Sequence, residues 1–224
     1  MKYLIVNGDD LGASRGVNRG IFEAHRCGIL TSASLLVDLP GSDEAAALAR
    51  ETPTLSVGLH ADLRGCASDT VQVKLERQLE HFEALMGALP THLDSHRNAH
   101  RDPGVLPSVL TVARQYGLLV RDFSPVLYVS EFYGQGGGKT RLEQVSVAAL
   151  ERILRTRIRE GFTELGVHPG YVGPDLQSRY AVERESELRT LCDPSIRETL
   201  REAGIHLASF RDAPRLLRQS AIPE

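Results

Sequence analysis

The sequence predicts an α/β fold with parallel strands, and three observations support this prediction. Short apolar runs alternate with amphipathic segments over all 224 residues, which is typical of repeated β-α units. About seven runs are suited to strands, with no linker or repeat between them. Several of these runs end in acidic or histidine side chains, as at the functional end of a parallel sheet. The pattern fits a doubly wound sheet or a (β/α) barrel, complete or partial, in a single domain over residues 1–224.

The first half of the chain contains clear strand and helix signals. Ser14 and Ser42 are suited to capping the helices that follow them, and Gly87 is suited to ending a helix. The predicted elements are strands at 3–7, 29–39 and 55–63 and helices at 14–27, 42–50 and 71–86.

The second half continues the alternation less regularly. Residues 124–144 are predicted to be irregular, and residues 172–193 to be a polar loop with some helix. A capping box at Ser195–Glu198 predicts a helix start. The remaining predicted elements are strands at 91–96, 118–123, 163–171 and 205–210 and helices at 105–116, 146–159, 195–204 and 214–219.

Composition excludes several classes of function. The net charge of −3 and the absence of tryptophan argue against a nucleic-acid partner. No segment has the roughly 20 apolar residues of a membrane span, and the N-terminus does not resemble a signal peptide. Three cysteines without paired spacing indicate reduced thiols. We therefore expect a cytoplasmic protein.

Polar residues follow four of the predicted strands at the same end. Asp9 and Asp10 follow the first strand, His60 belongs to the third, and His96 and His168 follow two later strands. Two adjacent carboxylates repel each other unless a positive charge lies nearby. One carboxylate with two imidazoles is a common catalytic metal set. The sequence therefore predicts a divalent metal site, in which one aspartate binds metal and the other faces the water.

The segment HLDSHRNAH, residues 92–100, is a dense group of candidate ligands. In an extended strand His92, Asp94 and His96 point to the same side, whereas His96 and His100 become neighbours if a helix follows. We expect at least one of these residues to bind metal.

Two other motifs do not support their usual functions. GQGGGKT at 134–140 lacks the first glycine of a phosphate-binding loop, because position 133 is tyrosine. It is expected to be a flexible loop over the site. Ser95 lies beside His96 without a G-x-S-x-G elbow, which argues against a serine hydrolase.

The motifs NGDDLG, GLHADL, THLDSHRNAH and GVHPGY, in this order, resemble those of the YdjC-like carbohydrate deacetylases, which include chitooligosaccharide deacetylases. The resemblance extends to ERESEL at 183–188 and SFRD at 209–212. It implies a distorted (β/α) barrel-like fold, one divalent metal ion, zinc or magnesium, and removal of acetyl groups from N-acetylated amino sugars or oligosaccharides. Arg97 and Asn98 depart from the run of histidines that relatives often carry there.

The resemblance also implies a role for each site residue. The implied metal ligands are Asp10, His60 and His96, with Asp9 as the base and His168 as the acid. Asp94, Asp62 and His92 are candidates for orienting a ligand histidine. Backbone N–H groups near Gly170 or Tyr171 are candidates for stabilising the oxyanion. Candidates for substrate binding are Arg184, Tyr171 and Arg97.

Three other functions stay open at this point. A phosphoester or cyclic-amide hydrolase would use the same metal on a different substrate, and a sugar isomerase would use it on a barrel. A non-catalytic sugar-binding protein would bind without turnover. A homodimer is the expectation for the assembly, because C2 dimers are the commonest oligomers.

Overall fold

A computed structural model of the chain describes residues 1–220. Its helices largely follow the sequence prediction, with 3₁₀ turns at His96–Arg101 and Leu142–Val145. The helices are α1 (Arg15–Cys27), α2 (Ser42–Arg50), α3 (Val71–Met86), α4 (Leu106–Tyr116), α5 (Val147–Arg157), α6 (Val182–Leu191), α7 (Pro194–Glu202) and α8 (Ala213–Ser220).

Eight parallel strands form one sheet, and a separate two-stranded hairpin lies outside it. The sheet order is β5-β4-β3-β2-β1-β9-β6, and β10 pairs with the first residues of β1. The strands are β1 (Lys2–Leu11), β2 (Ser32–Leu35), β3 (Ser56–Ala61), β4 (His92–Ser95), β5 (Leu119–Val120), β6 (Val126–Val129), β7 (Gln135–Gly136), β8 (Lys139–Thr140), β9 (Gly161–Val167) and β10 (Ile205–Leu207).

The sheet curls so that its two edge strands approach each other through side chains. Arg121, directly after β5, forms an ion pair with Glu164 on β9 and lies over the ring of Tyr128 on β6 at 4.6 Å. No ladder joins β5 to β6 in the described part of the chain. The fold is therefore an incomplete barrel, which confirms the distorted barrel-like prediction and excludes an open doubly wound sheet.

The two faces of β1 have different surroundings. Leu4 and Val6 belong to the main apolar core, which packs the helices against the outer face of the sheet. Ile5 points to the opposite face and joins a smaller apolar cluster with Phe162 and Phe210. Because side chains alternate along a strand, Asn7 and Asp9 follow Ile5 on the inner face. The interior is thus apolar at its base and polar towards the ends of the strands.

A bulge in β1 explains why two adjacent acids reach the same cavity. The pairing between β1 and β2 shifts between Gly8 and Leu11, and Asp10 adopts φ 67°. Aspartate tolerates this left-handed conformation better than most residues do. The bulge breaks the alternation of the strand, so Asp10 lines the same cavity as Asp9. Both acids therefore lie within β1, which the sequence prediction ended at residue 7.

The predicted irregular region at 124–144 is the largest difference from the sequence prediction. It contains β6, a full strand of the barrel, and the β7–β8 hairpin. The strand was missed because Val126–Val129 is only four residues long and follows a Ser-Pro pair that is typical of a loop. Its inner residue Tyr128 is mostly buried, whereas Leu127 is exposed.

Helix caps were predicted with mixed success. Ser14 accepts a hydrogen bond from the Val17 amide, as predicted. The predicted capping box at Ser195 is wrong, because Asp193 caps α7 by accepting from the Ser195 amide. Ser42 is also not a cap. It lies inside α2 and bonds to the preceding loop at Leu36 and Leu39.

None of the described helices is long and apolar enough to cross a membrane.

Candidate metal centre and its cavity

One cavity of about 1140 Å³ opens at the carboxyl ends of the barrel strands. The sequence prediction selected five strand-end residues. Four of them lie around the floor of this cavity, on β1, β3 and the turn after β4. His168, the fifth, follows β9. The cavity is lined by all five, namely Asp9, Asp10, His60, His96 and His168.

Three of these side chains form a compact group of potential ligands. Asp10, His60 and His96 each offer one ligand atom, and these atoms lie within 4.8 Å of one another. His96 Nδ1 lies 3.0 Å from Asp10 Oδ1, and His60 Nε2 lies 3.4 Å from the same oxygen. This is the set that the resemblance implied as metal ligands.

Asp94 orients one of the two imidazoles. Its Oδ1 lies 2.7 Å from His60 Nδ1, which leaves His60 Nε2 facing Asp10. A carboxylate behind a ligating histidine is the usual support of a metal-bound imidazole. Burial would lower the pKa of His60, but Asp94 and Asp10 raise that pKa to about 10. The carboxylates around this ring therefore attract a positive charge.

A second group, Asp9 with His60 and Asp94, also has ligand atoms within 4.8 Å. Its carboxylates already hold a cation, because Arg121 bonds to both oxygens of Asp9 at 2.7 and 2.8 Å and lies 2.7 Å from Asp94. The Asp10 group includes two imidazoles and opens to the cavity. One carboxylate with two imidazoles suits a divalent transition metal, so this group is the better cation site.

The neighbouring aspartate has a different environment. Besides Arg121, Asp9 accepts a hydrogen bond from Asn7 Nδ2 at 2.9 Å. Burial would raise the pKa of Asp9, but the Arg121 guanidinium holds it below its usual range. Asp9 is thus an ionised, immobilised carboxylate beside the potential metal ligands.

His168 is a further neighbour of Asp9 in the cavity. Its Nε2 is 3.9 Å from Asp9 Oδ2, and its backbone N–H donates to Glu187. Its Nδ1 is buried without a hydrogen-bond partner among the described residues. Burial lowers the pKa of this imidazole. The loop that carries it packs closely on α1, where a Cβ at Gly20 would lie 2.4 Å from Gly170 Cα.

Arg184 on α6 contacts a carboxylate of the site. Its Nη2 donates to Asp10 Oδ2 at 2.6 Å, and its Nε donates to the Tyr180 carbonyl. Burial would raise the pKa of Asp10, but Arg184 holds it well below the usual range. Arg184 lines the cavity, so its contact with substrate stays a prediction.

Arg97 also lines the cavity, directly after His96. Arg97 and Asn98 have φ values of 56° and 53°. Two successive non-glycine residues in this region are unusual and strained. They turn the chain sharply behind His96.

The structure does not bring Tyr171, His92 or Asp62 to the group formed by Asp10, His60 and His96. Tyr171 donates to Glu23 and lies under Arg19, outside the cavity lining. His92 stacks on Phe210 near the base of the barrel, because it is one layer below Asp94 on β4. Asp62 forms its ion pair with Arg64.

The predicted backbone oxyanion donors are wrong. The Gly170 amide donates to the Arg184 carbonyl, and the Tyr171 amide donates to the Gly16 carbonyl. Both N–H groups hold the loop after β9 in place, so neither points to a reacting group.

Sequence reasoning missed several residues of the site. Arg121 lies inside the strand predicted at 118–123, so the strand-end rule does not select it. In the structure β5 ends at Val120, and Arg121 is the first residue after it. Glu187 is buried, and its carboxylate accepts from Tyr180 Oη and the His168 amide. Burial raises its pKa to about 8. Its only signal in the sequence is its place in the ERESEL segment.

Comparisons with known proteins agree with this architecture. A family model described as YdjC-like protein matches residues 3–69 and 64–202. A carbohydrate deacetylase of Geobacillus stearothermophilus is 33% identical, over 94% of this chain and 98% of the relative. A chitooligosaccharide deacetylase of Salmonella typhimurium is 33% identical, over 94% and 99%.

Solved structures show the same fold. A protein of Enterococcus faecalis described as a cellobiose-phosphate cleavage protein has a TM-score of 0.79 and 26% identity, over 94% of this chain and 98% of its own. A family 4 carbohydrate esterase of Streptomyces lividans, in complex with acetate, has a TM-score of 0.60 and 13% identity, over 95% of each chain. The latter likeness concerns the fold alone.

Proposed function

Because the chain belongs to the YdjC-like family, we propose that it is a metal-dependent hydrolase that removes acetyl groups from N-acetylated amino sugars or oligosaccharides. The observation that carries the proposal is the grouping of Asp10, His60 and His96 beside Asp9 and His168 at one cavity floor. Relatives named as carbohydrate deacetylases supply the class of substrate.

One divalent cation would be held by Asp10, His60 and His96. Such a cation supplies Lewis-acid chemistry, polarising the acetyl carbonyl and lowering the pKa of water towards about 7. Two imidazoles favour a transition metal such as zinc, and family resemblance also admits magnesium.

Asp9 serves as the general base in this proposal. Attack of water on the acetyl carbonyl carbon requires that the water lose a proton. Asp9 accepts this proton, because Arg121 and Asn7 hold its carboxylate ionised and in a fixed direction. General bases of this kind contribute about 10²–10⁴ to the rate.

His168 serves as the general acid. When the carbon–nitrogen bond breaks, the sugar amine leaves with the electron pair and needs a proton. His168 Nε2 faces the cavity 3.9 Å from Asp9, so base and acid flank the same reacting group. In its protonated form, His168 donates the Nε2 proton to the amine, which then leaves as a neutral amine. The products are acetate and the free amino sugar.

Acetate release from N-acetylglucosamine and its oligomers tests this function. The protein is stripped with a chelator and reloaded with Zn²⁺ or Mg²⁺, and a phosphoester is included as a competing substrate. We expect acetate release that depends on the metal. Full activity of metal-free protein, or phosphatase activity without deacetylation, would contradict the proposal.

We also propose that residues 1–224 act as a single domain in the cytoplasm, as a homodimer. Pairing of β10 with β1 joins the two ends of the described chain. The three cysteines are free thiols, which suits a reducing compartment. Light scattering at several protein concentrations tests the dimer.

A further inference from the structure

The wall of the cavity beside His168 carries an aromatic side chain with no assigned role. Tyr133 lies before the β7–β8 hairpin, lines the cavity and is 38% exposed. Its ring centroid is 5.5 Å from that of His168, in an edge-on arrangement. A large aromatic ring exposed beside a catalytic group is a common feature of binding sites.

Tyr133 is supported from behind by a second tyrosine. The rings of Tyr133 and Tyr180 stack at 4.5 Å with an interplanar angle of 13°. Tyr180 is itself fixed, because its Oη accepts from the Gly134 amide at 2.7 Å and donates to Glu187. Since Tyr180 covers one face of Tyr133, the exposed surface of Tyr133 lies on its other face and edge.

The hairpin that follows Tyr133 is anchored rather than loose at its base. Glu183 on α6 accepts hydrogen bonds from Gln135 Nε2 at 2.9 Å and from Thr140 Oγ1 at 2.6 Å. A Cβ at Gly134 would lie 2.9 Å from Glu183 Cγ, so this position requires glycine. The expected flexible loop is therefore a short hairpin tied to α6, and it holds Tyr133 in place.

We infer that Tyr133 forms the subsite for the pyranose ring that bears the acetamido group, with the C–H face of the sugar packed on the tyrosine ring. The inference rests on the proposed deacetylase function, because His168 can protonate the amine only if that sugar lies beside it. The partly positive C–H groups of a pyranose suit the negative face of an aromatic ring.

Binding of the deacetylated product tests the subsite separately from catalysis. Calorimetry measures the Kd of a glucosamine disaccharide for wild type, Tyr133→Ala and Tyr133→Phe, and competition measures the inhibition constant of acetate. We expect Tyr133→Ala to weaken disaccharide binding about tenfold and to leave the acetate constant within about twofold. Tyr133→Phe, which keeps the ring, restores most of the lost affinity.

Kinetics and folding complete the test. Tyr133→Ala should raise KM for N-acetylated sugars far more than it lowers kcat, with an unchanged circular dichroism spectrum. An unchanged disaccharide Kd, or a loss confined to kcat, would overturn the subsite. Wild-type protein that releases no acetate but binds the disaccharide through Tyr133 would instead overturn the deacetylase function and keep the subsite.

Discussion

The two sides of the cavity are built in different ways. The strand-end side carries Asp9, Asp10, His60 and His96 on β1, β3 and the turn after β4. The helix side carries Tyr133, Tyr180, Arg184 and Glu187 on α6 and the segments packed against it. The strand-end side carries the proposed metal ligands and the proposed base. On the helix side, Glu187 accepts a hydrogen bond from the amide of His168, the proposed acid, and Arg184 donates to Asp10. We expect changes on the first side to abolish activity and changes on the second to reduce it.

The largest effect is expected at the metal ligands. His60→Ala removes a buried imidazole that lies between Asp10 and Asp94 and is a proposed ligand. We expect loss of bound metal, measured by elemental analysis, and loss of at least about 10³ in kcat/KM. His81→Ala is the matched control, because His81 is partly exposed and pairs with Asp38 on the surface. Full metal content in His60→Ala would remove His60 from the ligand set.

Removal of the acid is expected to have the next largest effect. His168→Gln keeps a polar side chain without a titrating imidazole. We expect kcat to fall by about 10²–10⁴ while metal content stays at the wild-type level. On a substrate with a better leaving group than an amine, such as an O-acetyl ester, kcat of the variant should fall much less. Equal losses on both substrates would argue against the role as acid.

Substitution of Arg121 measures how much the stability of the strand-end side depends on a buried positive charge. Arg121→Met leaves Asp9, Asp94 and Glu164 close together without their cation. We expect the free energy of unfolding in urea to fall by about 3–5 kcal/mol. Arg77→Met, which breaks an exposed pair with Asp38, should cost less than about 1 kcal/mol. Similar losses in the two variants would contradict the account of the buried cluster.

The smallest effect is expected at Glu187 on the helix side, and it depends on pH. Burial raises the pKa of Glu187 to about 8 in the folded protein, above about 4.5 in the unfolded chain. The protonated carboxyl therefore favours the folded state below pH 4.5, and this stabilisation is lost as the pH rises to 8. Relative to Glu187→Gln, the wild-type protein should lose roughly 2–4 kcal/mol of unfolding free energy over this range.

The comparison of the two variants controls for every other titrating group. Unfolding in urea at pH 5 and pH 8 gives the difference directly, because groups such as His60 and His92 are common to both proteins. A difference that stays constant with pH would show that Glu187 is already ionised at pH 5.

The difference between the two sides of the cavity also explains how much of the site the sequence could predict. His60, His96 and the pair Asp9–Asp10 could be selected because parallel strands bring their carboxyl ends together. Asp94 followed from its spacing of two from His96 on one strand. These inferences need only strand periodicity and a common direction of the strands. Only the family resemblance assigned the metal to Asp10 and the proton to Asp9.

The helix side could not be predicted in this way. Which face of α6 points to the cavity depends on how the helix packs, and α6 has buried charged residues rather than an apolar stripe. The ring of Tyr171, a predicted substrate contact, turns to α1, whereas Tyr133 reaches the cavity from the segment before the β7–β8 hairpin. The bulge at Asp10 was also not predictable, since strand alternation places adjacent acids on opposite faces.

In the proposed mechanism the two adjacent aspartates have different roles: Asp10 binds the cation, and Asp9 accepts the proton. Metal content and acetate release measured together on Asp9→Asn and Asp10→Asn test this division directly. The account predicts about one metal ion per chain in Asp9→Asn with kcat lowered by about 10²–10⁴, and almost no metal in Asp10→Asn. Metal loss in Asp9→Asn together with full metal content in Asp10→Asn would contradict it.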